Sequence, residues 1–288
     1  MHLPDTTETS IPATPEPPIA VGGVGGSGTR LIAEWMKTLG VFIGNDLNAS
    51  NDTLWFTLLF KHTEILECGD DEFLSLTRAL VAGLTGGSPL PAALQTLIAR
   101  LSTRNRAESK DWLEERSRSL AAAAMVPAHG GRWGWKEPNT HLVIERLWRV
   151  RPELRYVHVV RHGLDMALSA NQNQVRLWGT SVLGRDADPS PARSLAYWCR
   201  VQQRMQQLLE GNRQRMFWLD YDALCRNPEQ SVFDLLQFLG LDHSDAGALA
   251  AQVRMPSAQR HAGQSLSHFR AQDVEYVRSL GYPILAGR

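Results

Sequence analysis

Five glycines, Gly22, Gly23, Gly25, Gly26 and Gly28, fall within seven residues, directly after the apolar stretch Ile19-Ala-Val21. So dense a cluster lets the backbone take positive φ and approach a ligand with no Cβ in the way. Beyond it Leu31, Ile32, Trp35, Met36 and Leu39 recur at helical spacing, which predicts a strand, a loop and a helix in immediate succession. The loop's N–H groups then stand at the positive end of a helix dipole, a place suited to phosphate or sulfate. A glycine-rich turn with no ligand meets the same description, and two named templates fit poorly. Gly23, Gly25 and Gly28 satisfy G-x-G-x-x-G, yet only Asp46 stands near the acidic position a dinucleotide ribose requires. A G-x-x-x-x-G-K-[ST] loop fails, because Thr29 and Arg30 follow Gly28.

The chain has 288 residues, 43% of them hydrophobic, enough to bury a large core in one α/β domain carrying a helical insertion. Its 30 Lys and Arg balance 30 Asp and Glu, which argues against nucleic-acid binding by bulk charge. Cys68, Cys199 and Cys225 lack C-x-x-C spacing, so neither a disulfide framework nor a structural zinc site is expected. His158 and His162 straddle a strand end, which does not suit a metal either. No apolar run reaches membrane-spanning length and no basic-then-apolar leader opens the chain, so a cytoplasmic protein is expected.

Residues 1–18, rich in Pro, Thr and Glu, read as a disordered tail, and 19–288 as a single domain. Helices are expected over 53–66, with Asp52 a candidate N-cap, and over 71–83, 89–102 and 104–125, making a helical insertion across about residues 53–130. Trp133 to Pro138 reads as extended, since the residue before proline is pushed out of the α region. Asn139 or Thr140 then caps a helix to about Arg149. Leu154–Val160 is a buried strand ending on Arg161, followed by a helix to about Asn173, a polar loop over 174–190 and a long helix to Leu209. Met216–Leu219 is a further short strand, and Pro228 opens a helix that Gly240 ends. Strands separated by helices predict a three-layer α/β/α arrangement around a parallel sheet, with ligands beyond the carboxyl ends of the strands.

Three segments in this order resemble the sulfotransferase family, enzymes that move a sulfuryl group from 3′-phosphoadenosine-5′-phosphosulfate (PAPS) to an acceptor. Gly25-Gly-Ser-Gly-Thr-Arg30 resembles the family's 5′-phosphosulfate loop, which implies nucleotide contacts from Gly25, Gly26, Ser27, Gly28, Thr29 and Arg30. Val157–Ser169 resembles its 3′-phosphate site, with Arg161 at a strand end and Ser169 eight residues later. Trp218–Pro228, continuing to Leu241, resembles a strand-turn-helix late in the family's core. The likeness runs from about residue 19 to 241 and implies the family's P-loop-like fold, closer to the tyrosylprotein-type and bacterial members than to the cytosolic type. Physically, Arg161 offers a forked donor pair to a phosphate, and Ser169 a hydroxyl.

The resemblance extends to Lys136-Glu-Pro138, similar to a K-x-P context whose lysine approaches the transferring group. A cation there offsets charge that develops as the S–O bond breaks. Gly26 departs from the pattern, since most members carry Lys or Arg before the loop serine; Arg30 is the cation available instead. For the base that takes the acceptor's proton, the resemblance implies a carboxylate past the loop. Asp46 and Asp52 are the candidates, with Glu137 and His141 a third possibility. PAPS and its product adenosine 3′,5′-bisphosphate (PAP) are thus implied, with no metal required. The acceptor is a hydroxyl of unspecified type on a small molecule, saccharide, lipid or peptide. A P-loop nucleotide kinase using Asp220 for magnesium, and a catalytically silent binding protein of the same fold, stand as alternatives.

Overall fold

The structure is a computed structural model and describes residues 16–102, 108–127, 130–184, 189–254 and 259–285. Residues 1–15 of the expected tail lie outside the described residues. In chain order the elements are β1 (Ile19–Gly23), α1 (Thr29–Thr38), α2 (Leu54–Phe60), a 3-10 turn (Thr63–Leu66), α3 (Asp70–Thr85), α4 (Ala92–Ser102), α5 (Lys110–Met125), β2 (Gly134–Lys136) and α6 (Thr140–Val150). There follow β3 (Arg155–Val160), α7 (Gly163–Ala167), α8 (Asn173–Leu183), α9 (Pro191–Asn212), β4 (Met216–Asp220), α10 (Tyr221–Arg226), α11 (Pro228–Leu239), α12 (Ala246–Ala250) and α13 (Ala271–Ser279).

The strands form one sheet in the order β2-β1-β3-β4. β3 and β4 pair in parallel from Tyr156 opposite Met216 to Val160 opposite Asp220. Every residue of β1 is buried, as is β3 beyond Arg155, the pattern of strands covered on both faces. The expected α/β fold with a central parallel sheet is therefore present.

The chain divides into two compact units. The unit comprising residues 36–137, 142–155 and the segment up to Ala20 holds the helical insertion. Its core forms where α2 is buried along its whole length, Leu54 to Phe60. Gly83 on α3 makes the approach possible: a Cβ there would lie 2.4 Å from Leu120 of α5 and 3.3 Å from Trp55. Phe60 meets Phe73 edge-on at 5.5 Å, and the Trp55 indole donates to Ser119.

The other unit, residues 21–35, 138–141 and 156–288, contains the glycine loop, β3, β4 and the helices after them. Two expectations change here. The helix after Arg161 stops at Ala167 and not near Asn173, because side chains take over its terminal backbone groups: Gln172 Nε2 donates to the Ala167 carbonyl, and Ser169 Oγ accepts from Asn171 N–H. The segment expected as a polar loop from 174 folds instead as α8, since Val175, Trp178 and Gly179 share one buried stripe among polar neighbours. The Trp178 indole donates to Asn139 Oδ1 at 2.9 Å, so Asn139 serves this bond, and Thr140 opens α6.

Candidate functional site

The loop after β1 has the shape its glycines foretell. Gly23, Gly26 and Gly28 all have positive φ. At Gly23 the requirement is a close approach as well: a Cβ would sit 2.3 Å from the Val159 carbonyl oxygen of β3. At Gly28 a Cβ would sit 2.3 Å from the ring of Tyr221. Ser27 N–H closes a turn on the Val24 carbonyl at 3.1 Å, and α1 begins at Thr29. Gly23 is gripped twice, its N–H donating to the Pro138 carbonyl at 3.0 Å and its carbonyl accepting from Gln174 Nε2 at 3.3 Å. Ser27 is 1% exposed, and its hydroxyl has no hydrogen-bond partner. Thr29 is buried, Gly25 half-buried, and Gly26 and Arg30 are exposed.

Arg161 leaves β3 one residue past Val160, so the ends of β1 and β3 bring it to the same edge as the glycine loop. Its guanidinium lies over the Tyr221 ring at 6.0 Å, and its Nε is buried without a hydrogen-bond partner. Tyr221, the first residue of α10, thus meets both the loop and Arg161, a role the sequence reading did not assign. Its chain position directly after β4 was the available signal. Ser169 is half-buried and spends a lone pair on Asn171 N–H.

Behind the loop lies a buried polar set. Tyr156 Oη and His158 Nδ1 are 2.9 Å apart, and His158 Nε2 meets Gln202 Oε1 at 2.8 Å. Burial lowers the His158 pKa to about 4, outweighing the Gln202 hydrogen bond. His141 is likewise fully buried, its pKa held well below normal first by burial and then by His158 and Arg204. Glu137, which belongs to the other unit, is only 2% exposed.

The remaining candidates belong to the other unit. Lys136 ends β2 with its side chain 2% exposed; its ammonium pairs with Asp52 and donates to the Ser50 carbonyl at 3.0 Å. Asp52 is also fixed by Asn48 Nδ2 at 2.8 Å, while α2 starts after Thr53 and receives no side-chain cap. The candidate cap is therefore the lysine's partner. Asp46 pairs with Arg116 of α5 at 2.9 Å. The structure thus joins Lys136 to Asp52 and leaves Asp46 in a separate ion pair. The residue after Lys136 and Glu137 is Pro138, the acceptor for Gly23 N–H.

Asp220, offered as a magnesium ligand by the kinase alternative, instead caps α10: its Oδ1 accepts from Asp222 and Ala223 N–H at 2.8 and 3.0 Å. No helix among the described residues is long and apolar enough to cross a membrane.

Among curated proteins, none matches the chain by sequence. The sulfotransferase domain from the Synechococcus PCC 7002 olefin synthase is similar in fold, with a TM-score of 0.51 and 14% identity over 97% of this chain and 99% of that one. The sulfotransferase domain from the curacin biosynthetic pathway matches 94% of this chain and 100% of its own at 14% identity and a TM-score of 0.47. A sulfotransferase from Alicyclobacillus acidocaldarius matches 93% of this chain and 96% of its own at 15% identity and a TM-score of 0.46. The sequence profile described as "Sulfotransferase family" matches residues 17–245, and the chain belongs to the sulfotransferase family.

Proposed function

We propose that the protein transfers a sulfuryl group from PAPS to a hydroxyl acceptor. The observation that carries this is a pair of buried donors left without partners on adjacent strand ends, Ser27 Oγ in the glycine loop and Arg161 Nε after β3. Buried donors are ordinarily satisfied, and two of them beside a loop of positive-φ glycines suit the two anionic groups of PAPS. The 5′-phosphosulfate would lie on the backbone of Gly25 to Thr29 at the start of α1, with Arg30 supplying charge at the loop's exposed side. The 3′-phosphate would take Arg161, with Ser169 as a hydroxyl donor.

Lys136 would neutralise charge on the bridging oxygen as the S–O bond breaks. Asp52, already held against Lys136, is the carboxylate we assign to the acceptor's proton, with Asp46 the alternative. The sulfuryl group passes to the acceptor oxygen, the S–O bond to the phosphate breaks, and PAP leaves with that electron pair. A metal has no part in this transfer. The test is transfer of labelled sulfate from PAPS to a panel of alcohols, sugars, lipids and tyrosyl peptides. Turnover in the unmodified protein should fall at least about 100-fold in Lys136→Met, the scale for losing one transition-state donor. Tight PAP binding with zero turnover across the panel would instead favour the silent binding protein.

A further inference from the structure

His162 and His261 stack with ring centroids 4.1 Å apart and 22° between their planes. Both are almost fully buried, at 4% and 1% exposure, and Asp165 beside them at 3%. Their hydrogen bonds fix which nitrogens carry protons. His162 Nε2 faces the Pro283 carbonyl at 2.8 Å; a carbonyl only accepts, so Nε2 is protonated and Nδ1 is bare. His261 Nδ1 lies 2.8 Å from Asp165 Oδ1, so without an ion it donates to the carboxylate; an ion shared with Asp165 takes that proton's place, and the proton passes to Nε2. Neither His162 Nδ1 nor His261 Nε2 has a hydrogen-bond partner.

Ligand atoms from His162, Asp165 and His261 all lie within 4.8 Å of one another. Two ligands on one tetrahedral zinc stand about 3.3 Å apart at metal–ligand lengths of about 2.0 Å. Side-chain movements of roughly an ångström that splay the stacked rings would therefore close the site. Two imidazoles and one carboxylate form a borderline donor set, suited to zinc or cobalt and unsuited to calcium or magnesium, which require mostly oxygen. Negative charge to balance the ion is at hand: besides Asp165, the Asp222 carboxylate accepts from His162 N–H at 2.8 Å. The cations nearby are already directed elsewhere, with Arg260 donating to the Asp165 carbonyl oxygen at 3.2 Å and Arg161 lying over Tyr221. The Pro283 carbonyl already orients His162 as outer-shell groups orient metal-bound histidines.

We propose that His162, Asp165 and His261 form a divalent transition-metal site of the zinc type. Three protein ligands leave the fourth position to water. The ion ties the segment bearing Arg260 and His261 to the residue that follows Arg161, so it is an anchor and takes no part in sulfuryl transfer. The proposal stands whether or not the protein uses PAPS.

The test is to strip the full chain with a chelator and titrate it with Co²⁺, reading the ligand-field absorption bands. One ion per chain, displaced by Zn²⁺, is expected, and Zn²⁺ should raise the melting temperature. His261→Asn keeps an N–H toward Asp165 but removes the imidazole; its cobalt affinity should drop at least about 100-fold, the upper end for outer-shell losses alone. His268→Asn, at an exposed position, should bind as the unmodified chain does. Metal-free melting curves establish that each variant is folded. Should the proton between His261 Nδ1 and Asp165 not yield to an ion, cobalt would leave the unmodified chain's spectrum and melting temperature unchanged, and the proposal fails. Bands of equal strength in His261→Asn overturn it as well.

Discussion

Single alanine substitutions along the glycine loop should separate conformational strain from steric collision. Gly25 lacks positive φ, and its added Cβ would meet nothing nearer than Gln174 Cγ at 3.7 Å, an ordinary contact. Gly25→Ala should therefore shift stability by no more than about 0.5 kcal/mol, as at an uncrowded surface site. Gly26 has φ of 93°, but its Cβ would be 3.6 Å from Met166 Cε. Strain alone applies, and about 1–2 kcal/mol is expected. Gly23 combines φ of 152° with a Cβ 2.3 Å from a backbone carbonyl of the neighbouring strand, which cannot yield without parting β1 from β3. Adding about 1–3 kcal/mol of overpacking to a strain of similar size gives about 2–6 kcal/mol. That approaches the whole stability of a typical domain. Urea unfolding followed by tryptophan fluorescence would read the series as falling midpoints at a constant slope. Equal midpoints for Gly23→Ala and Gly25→Ala would refute the reasoning, because the two differ only in the geometry on which it rests.

Ser27→Ala removes a buried hydroxyl that has no partner, so the nucleotide-free protein should gain up to about 1 kcal/mol while PAP binding weakens; thermal melts with and without PAP would show opposite signs, and a loss of stability without ligand would contradict this. His158 has a native pKa of about 4 against about 6.5 unfolded. The unfolded chain therefore binds the extra proton as pH falls from about 6.5 to 4, and stability should drop over that window by about 3 kcal/mol from this group alone. Denaturant titrations at successive pH values should show the slope flatten in His158→Gln; an unchanged slope in the variant would contradict it.

What could be read in advance followed the range of the interactions. The glycine loop, the strand ending at Arg161 and the helix at Pro228 declare themselves locally, through φ requirements, continuous burial and a first-turn proline, and they fold as expected. The break after Ala167 did not, because it depends on Gln172 and Ser169 taking over backbone partners. Nor did α8, whose buried stripe is legible only once Trp178 is known to reach Asn139. The carboxylates show the same limit: Asp46 stands nearer the offset the resemblance implies and Asp52 reads equally well as a helix cap, and only the long-range pairs to Arg116 and Lys136 show what each side chain meets. His261 stands far from Asp165 in the chain, so neither spacing nor motif foretold their hydrogen bond.

Calorimetric titration of PAP with chelator present tests the proposed two-phosphate nucleotide site most directly. One site is predicted for the unmodified protein with no magnesium. Arg161→Ala should lose about 10- to 150-fold in affinity, the equivalent of a charge-assisted hydrogen bond of about 1.5–3 kcal/mol. Absence of binding by the unmodified protein, or binding of ADP or ATP that requires magnesium while PAP is ignored, would contradict the account.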